Sequence, residues 1–401
     1  MRIIYLHQYF RTPAENGGVR SYHFAQALRR AGHDVEMVTS DRSPGAPGYT
    51  NRTVDGISVH YFGVPYRSDM GVARRLISFA SFAVRSAHRV RRLRGDAIVA
   101  TSTPLTVVIP ALWGLAFRQT RFVFEVRDLW PSVPVAMGVL RNRLLILAAE
   151  SLERLAYRKA DVVVALSPGM AEGVREKAPP HKKIVVVPNI ADVDMFGASD
   201  ETSVDPFEGD SRLTGRRIVM YCGAFGRVNG LDYMVELAAA SARIGSELVF
   251  VAVGEGAEKA RVIERALELG VLDTAFVAMP AVGKKDLPRL LARAAYGSSW
   301  VIDITALENN SANKFFDTLA AARPVLLNHG GWQADLLESR GAGLSLSRDP
   351  NRAAAQLERF DRDVHAFERA GVAARRVAED EFSLSILAAS FVREVEGPRV
   401  D

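Results

Sequence analysis

The sequence predicts an α/β protein built as two Rossmann-like, doubly wound domains that face each other across a cleft. Three observations predict it. Short β-rich runs alternate with helical patterns along almost the whole chain; the alternation stops once, after Pro188-Asn189; and it restarts with the same rhythm. The length of 401 residues suits two or three domains at roughly 150 residues each. A content of 48% hydrophobic and 24% charged residues is that of a packed globular chain, which excludes disordered and fibrous classes.

The chain opens with MRIIYLHQYF, an apolar run broken by His7 and Gln8. It is too short and too polar for a secretory signal, so RIIYLHQ reads as the first strand. DVEMVTS, GISVHYF, DAIVATS, RFVFEV, DVVVAL and KIVVVP follow as strands, between segments of helical spacing such as VRSYHFAQALRRAG and LRNRLLILAAESLERLAYRKA. Ala97–Phe117 runs 21 residues without a formal charge, long enough on length alone to cross a bilayer. Thr101, Ser102, Thr103 and Thr106 are polar and Pro104 and Pro110 punctuate the run, so a strand and a Pro-started helix explain it with less strain.

The first domain therefore covers residues 1–190. Residues 191–215 are acidic, aperiodic and contain Gly and Ser, as an interdomain linker does. The second domain, 216–381, carries RIVMYCGAF, ELVFVAVGEG, AFVAMP, SSWVIDIT, RPVLLNHGG and GLSLS as strands. From about Phe382 to Val395 a last helix follows, whose partner its pattern does not name. Open α/β sheets bind ligands at the carboxyl ends of their strands. A cleft between two such sheets suits a reaction joining a nucleotide-bearing donor to a separate acceptor.

Charge is unevenly spread. Residues 1–190 hold 27 Lys and Arg against 14 Asp and Glu; the remainder holds 24 against 32. Such asymmetry points to different neighbours for the two halves, one of them anionic. Residues 67–94 carry Arg67, Arg74, Arg75, Arg85, Arg89, Arg91, Arg92 and Arg94 against the single acid Asp69, interleaved with Leu76, Ile77, Phe79, Phe82, Ala83 and Val90. Two readings stand: a basic helix for an anionic membrane surface, or an ordinary helix whose apolar face packs on the sheet. Nucleic acid is not expected, because the nearby aromatics read as core residues rather than a stacking platform. The single Cys222 excludes an internal disulfide and fits a reducing compartment, and the eight His lack metal-ligand spacing.

Several loops could carry chemistry. Gly17-Gly18, between the first strand and a helix, lets backbone N–H groups approach a phosphate or sugar; a plain tight turn is the alternative. It is not the GxGxxG of dinucleotide binders, and no P-loop is present. Gly223-Ala224-Phe225-Gly226-Arg227 ends another strand, with Asn229-Gly230 opening the next helix, a loop suited to a diphosphate or simply to a turn. Glu308-Asn309-Asn310-Ser311-Ala312-Asn313-Lys314-Phe315-Phe316-Asp317 enters a helix through small polar residues. Lys314 and Asp317 share one helix face, offering a cation for phosphate and a carboxylate for ribose, or a surface ion pair. Arg127-Asp128, in EVRDLWP, is an acceptor-side site or a buried structural ion pair. Asp192-Val193-Asp194 spells a metal-binding pair but sits in the linker, and His7 reads as a core histidine.

Together, YLHQYFRTPAENGGVRSYHFAQAL, EVRDLWP, VVVPNIADVDMF, YCGAFGRVNGLDYMVELAA, VAVGEGAEKARV and NNSANKFFDTLAAARPVLLNHGGWQADL resemble the family 4 glycosyltransferases, retaining enzymes of the GT-B fold. The nearest subgroup is similar to bacterial O-antigen and exopolysaccharide transferases of the N-acetyl-fucosamine type. The resemblance implies a nucleotide-sugar donor in the second domain and a saccharide acceptor in the first, undecaprenyl-diphosphate-linked in this subgroup. It implies no cofactor and no metal, a UDP-sugar in preference to GDP- or dTDP-sugars, and a cytoplasmic place, peripheral on the membrane. The last helix, about 382–401, would cross back to complete the first domain.

Residue by residue, the resemblance puts Gly17 and Gly18 near the donor phosphate, and Gly223, Arg227 and Lys314 on the diphosphate. Gly254, Glu255 and the strand end at Met279 pack around the base, and Asn313 stands at the donor-side helix entrance. Asp317 takes the place of the second Glu of the family's E-x7-E pair, the ribose ligand, whereas the first falls on Asn309, so that Asn309 or Asn310 would donate hydrogen bonds instead. Asn229 replaces a family Lys, and Arg127, before Asp128, replaces a frequent His and cannot act as a general base. Rival functions are an epimerase of the same fold, an NAD-dependent oxidoreductase, disfavoured by the absent GxGxxG, and a non-catalytic sugar-binding protein.

Overall fold

A computed structural model describes residues 1–15, 17–43, 45–66, 70–116, 118–197 and 206–398. Asn16, Arg67, Asp69, Phe117, residues 198–205 of the expected linker and 399–401 of the expected last helix lie outside the described residues. The first sheet comprises β1 (Arg2–Leu6), β2 (Asp34–Asp41), β3 (Tyr49–Val54), β4 (Ile57–Gly63), β5 (Ala97–Thr101), β6 (Arg121–Val126), β7 (Val162–Ala165) and β8 (Lys183–Val186). The second comprises β9 (Ile218–Cys222), β10 (Val249–Val253), β11 (Phe276–Met279), β12 (Tyr296–Ser299), β13 (Val325–Leu327) and β14 (Gly343–Ser345). Their orders are β3-β4-β2-β1-β5-β6-β7-β8 and β11-β10-β9-β12-β13-β14. All pairings are parallel except β3 with β4.

In each sheet the order reverses beside the first strand of that half, β1 between β2 and β5, and β9 between β10 and β12. A crevice opens at such a switch point. The central strands are buried on both faces, which is why IIYL, VVVA and VFVAV read as continuous apolar runs.

Two strands differ from the expectation. β3, unforeseen, pairs antiparallel with β4 through Asp55-Gly56, both at positive φ (47° and 79°). This is an Asp-Gly hairpin turn whose outer strand, YTNRTV, faces solvent and so carries little apolar signal. The strand expected over SSWVIDIT ends at Ser299, because the Val301 N–H turns to the Asn328 side chain (3.0 Å).

The uncharged run Ala97–Phe117 resolves into β5 and the helix Val108–Leu115, and no helix among the described residues is long and apolar enough to cross a membrane. The basic helix spans Val72–Leu93. Phe79, Phe82, Ala83 and Val90 are buried, whereas Ile77 and Val84 face outward. The expected linker is no open tether, since Phe196, Phe207 and Leu213 are buried in the core. The last helix, Leu384–Glu396, lies on the first domain, with Phe391 stacked on Phe24 at 4.3 Å. The halves touch where Ser167 Oγ donates to the Asn309 carbonyl (2.6 Å) and the Asn189 N–H to Ser311 Oγ (3.2 Å).

Candidate functional site

The carboxyl ends of the two sheets enclose a cavity of about 660 Å³. Gly17, Gly18, Arg20 and His23 line it from the first domain, Asp192 from the junction, and Gly223, Gly254, Lys284, Asn313, Lys314 and Asp317 from the second. Glycine is required where backbones meet. A Cβ on Gly254 would lie 1.8 Å from the Gly223 carbonyl oxygen, and one on Gly18 would lie 2.9 Å from Asn313 Nδ2. Gly18 is thus the point where the first-domain loop meets the second-domain helix Asn313–Ala320, with an Arg127 Nη 3.5 Å from the same position.

The helix Asn313–Ala320 has no side-chain cap, so its first N–H groups remain available beside the cavity. Lys314 follows directly. Its Nζ donates to Asn229 Oδ1 (2.8 Å) and lies 4.9 Å from the Tyr221 ring centre. It has no ion-pair partner among the described residues, and burial pushes its ammonium down to about 8. Asn229 is therefore the group that holds Lys314. Lys314 and Asp317 do not pair; Asp317 binds Lys284 at 2.5 Å. Burial raises the Asp317 carboxyl and Lys284 opposes that.

Other expected residues lie elsewhere. Arg227, in the turn Arg227–Asn229, is exposed outside the cavity wall. Asn309 is turned to the domain seam, its side chain packed where Gly169 leaves room, and Asn310 folds back on Leu307 O (2.6 Å) and the Ala312 N–H (3.1 Å). The Asn310 amide is spent on structure, and neither asparagine lines the cavity. Met279 offers its carbonyl to Lys259 (3.1 Å), and Ala281 and Val282 line the cavity instead; Glu255 lines it while paired with Lys259 at 2.7 Å.

Arg127 and Asp128 do not form the buried ion pair. Asp128 accepts from Thr103 Oγ1 (2.8 Å), and Arg127 Nη1 lies 3.4 Å from His7 Nε2. His7 is buried, as the core reading has it, with Nδ1 bonded to Ser21 Oγ at 2.6 Å; burial and the Arg127 guanidinium hold the ring neutral. The buried pair is Arg20–Glu125, at 2.8 Å and 1% and 0% exposed.

Sequence reasoning missed Arg20, His23, Asp192 and Lys284. Asp192, demoted as linker, faces His23 at 3.8 Å on the cavity wall. The one available signal was position: Arg20 and His23 stand on the helix directly after Gly18.

Comparison with known proteins agrees with this geometry. Residues 17–190 match the model of the glycosyl transferase 4-like domain. The putative colanic acid biosynthesis glycosyl transferase WcaI of Escherichia coli (strain K12) is 25% identical over 289 residues, 66% of this chain and 68% of that one. Among solved structures, sucrose-phosphate synthase from Thermosynechococcus elongatus superposes with a TM-score of 0.75 at 16% identity, covering 97% of both chains. Anabaena HepE in complex with UDP and glucose superposes with 0.73 at 13% identity, covering 99% of both. Two parallel sheets meeting at their carboxyl ends, superposing over nearly the whole chain on these solved glycosyltransferase structures, give this chain the GT-B fold, and its first half matches the glycosyl transferase 4-like domain.

Proposed function

We propose that the protein transfers a sugar, with retention, from a nucleotide-diphosphate sugar to a hydroxyl of a lipid-linked saccharide in cell-surface polysaccharide synthesis. The observation that carries the donor side is the uncapped helix start with Lys314 beside it, opening on the cavity between the sheets. A helix N-terminus with a cation beside it is suited to a diphosphate. UDP is the favoured nucleotide, in keeping with the HepE complex, and the polysaccharide role is in keeping with the name of WcaI.

In the reaction the bond from the anomeric carbon to phosphate oxygen breaks, and the acceptor oxygen bonds that carbon from the same face. The acceptor proton passes to the departing phosphate oxygen. Lys314 and the helix N–H groups stabilise the negative charge that the diphosphate gains, so no divalent metal is required. Arg127, whose guanidinium lies beside Gly18, is suited to binding donor or acceptor oxygens.

The test is thermal stabilisation by UDP-, GDP- and dTDP-sugars, followed by turnover with and without EDTA. A ligand that binds only the folded form raises its apparent stability. UDP-sugars are expected to raise Tm most, with turnover surviving EDTA. No shift with any nucleotide sugar contradicts the donor assignment, and strict metal dependence contradicts the mechanism. Donor consumption without acceptor points to the epimerase.

The first domain supplies the membrane side of the reading. Ile77, Val84, Ile109, Trp113, Leu144 and Leu147 are exposed large apolar residues on its helices. Arg74, Arg85, Arg92 and Arg94 are exposed on the basic helix, and Arg91 lies over Trp113 at 5.2 Å. Basic and apolar groups on one set of helices suit an anionic lipid surface. Vesicles containing phosphatidylglycerol are expected to retain the protein in sedimentation and release it in high salt. Indifference to vesicle charge argues for a soluble acceptor, or for an ordinary helix whose apolar face packs on the sheet.

A further inference from the structure

Lys284 has no counterpart among the residues that the sequence offered for the site, yet it makes the shortest charged contact on the cavity wall. Its Nζ lies 2.5 Å from Asp317 Oδ1, and both side chains are about nine-tenths buried, at 11% and 10% exposed. The two come from different elements, Lys284 from the turn Lys284–Asp286 after β11 and Asp317 from the helix Asn313–Ala320. The Lys284 ammonium is also held 5.3 Å from the Phe196 ring centre. One oxygen of Asp317 is therefore taken by an ammonium fixed from a second side, and the other is left for a hydroxyl donor.

The surrounding charges make this contact decisive. Asp192 opposes the ionised form of Asp317, the Cys222 thiol lies in the same field, and His23 feels Asp192 and Lys284 with opposite sign. Lys314, on the same helix, is engaged with Asn229. Among the described residues Lys284 alone forms an ion pair with Asp317. A buried carboxyl without its cation takes up a proton, and a protonated carboxyl accepts hydroxyl hydrogen bonds more weakly than a carboxylate.

Resting on the nucleotide-sugar reading above, we propose that Lys284 positions the Asp317 carboxylate to read the ribose diol of the donor, so that the site selects ribonucleoside over 2′-deoxyribonucleoside diphosphates. UDP then binds with two hydroxyls available to Asp317, whereas a deoxyribose nucleotide such as dTDP offers one.

The test is calorimetric titration of the full chain with UDP and with 2′-deoxy-UDP from pH 6 to pH 9. Wild type is expected to prefer UDP by about tenfold or more, the scale of one hydrogen bond to a charged group. Lys284→Met is expected to lose that preference at neutral pH and regain it as rising pH ionises Asp317. Asp317→Asn is expected to lose it at every pH, and Lys284→Arg to keep it. Lys284→Gln gives the same reading should the methionine variant fail to fold.

A methionine or glutamine variant that discriminates like wild type at every pH overturns the proposal, as does lost discrimination that pH does not restore. Wild type that binds no nucleotide overturns the donor reading itself, whereas wild type that binds UDP and 2′-deoxy-UDP equally leaves that reading standing and overturns the proposal.

Discussion

Replacing Arg20 with Met is expected to destabilise the protein by about 3–5 kcal/mol, the cost of leaving a buried charge without its partner. Arg20 and Glu125 are 1% and 0% exposed and bonded at 2.8 Å. The guanidinium also donates to the Val187 carbonyl (2.7 Å) and to that of Pro188, so it ties the start of the first helix to the end of the first domain. The second oxygen of Glu125 accepts from Thr101 Oγ1 (2.9 Å). In the variant Glu125 keeps that single bond. A large fall in the denaturant midpoint is the expected reading. The double variant Arg20→Met/Glu125→Gln is expected to recover part of the loss, because no uncompensated charge remains. A single variant as stable as wild type contradicts the buried pair.

Lys314→Ala is expected to lower kcat by about a hundredfold or more, the loss that follows removal of one preorganised charge-stabilising donor. Arg227→Ala is expected to lose less, because Arg227 is exposed and outside the cavity wall. The pH profile carries a second signature. Burial holds the Lys314 ammonium at about 8, so its charge is present below that pH and disappears as pH rises through it. Activity is therefore expected to fall on the alkaline side. Lys314→Arg, which stays charged, flattens that limb even where its altered geometry lowers the rate. An alkaline limb unchanged in the arginine variant removes Lys314 from the assignment.

The two-sheet architecture was legible because central parallel strands buried on both faces, such as β1, β5, β7, β9 and β10, leave continuous apolar runs. β3 escaped because its residues face water, although Asp55-Gly56 marked its turn. At the site, Gly18, Gly223, Gly254, Asn313, Lys314 and Asp317 do line one cavity. Their partners were not legible. Nothing local links Lys284 to Asp317 or Asn229 to Lys314; those contacts exist only once separate loops converge at the sheet edge.

The same limit explains the two asparagines. A polar run before a helix reads equally as ligand or cap, and the structure turns Asn309 to the domain seam and closes Asn310 onto its own backbone. Asp192 shows the reverse error. An acidic, aperiodic stretch reads as tether, yet it packs Phe196 into the core and brings a carboxylate to the cavity.

The most direct measurement is a crystal structure of the protein soaked with UDP. It is expected to place the diphosphate against the N–H groups at Asn313 and Lys314 with the Lys314 ammonium in hydrogen-bond reach, and the ribose hydroxyls on Asp317. A nucleotide bound elsewhere, with Lys314 still on Asn229 and the helix start unoccupied, would contradict the assignment of the donor site.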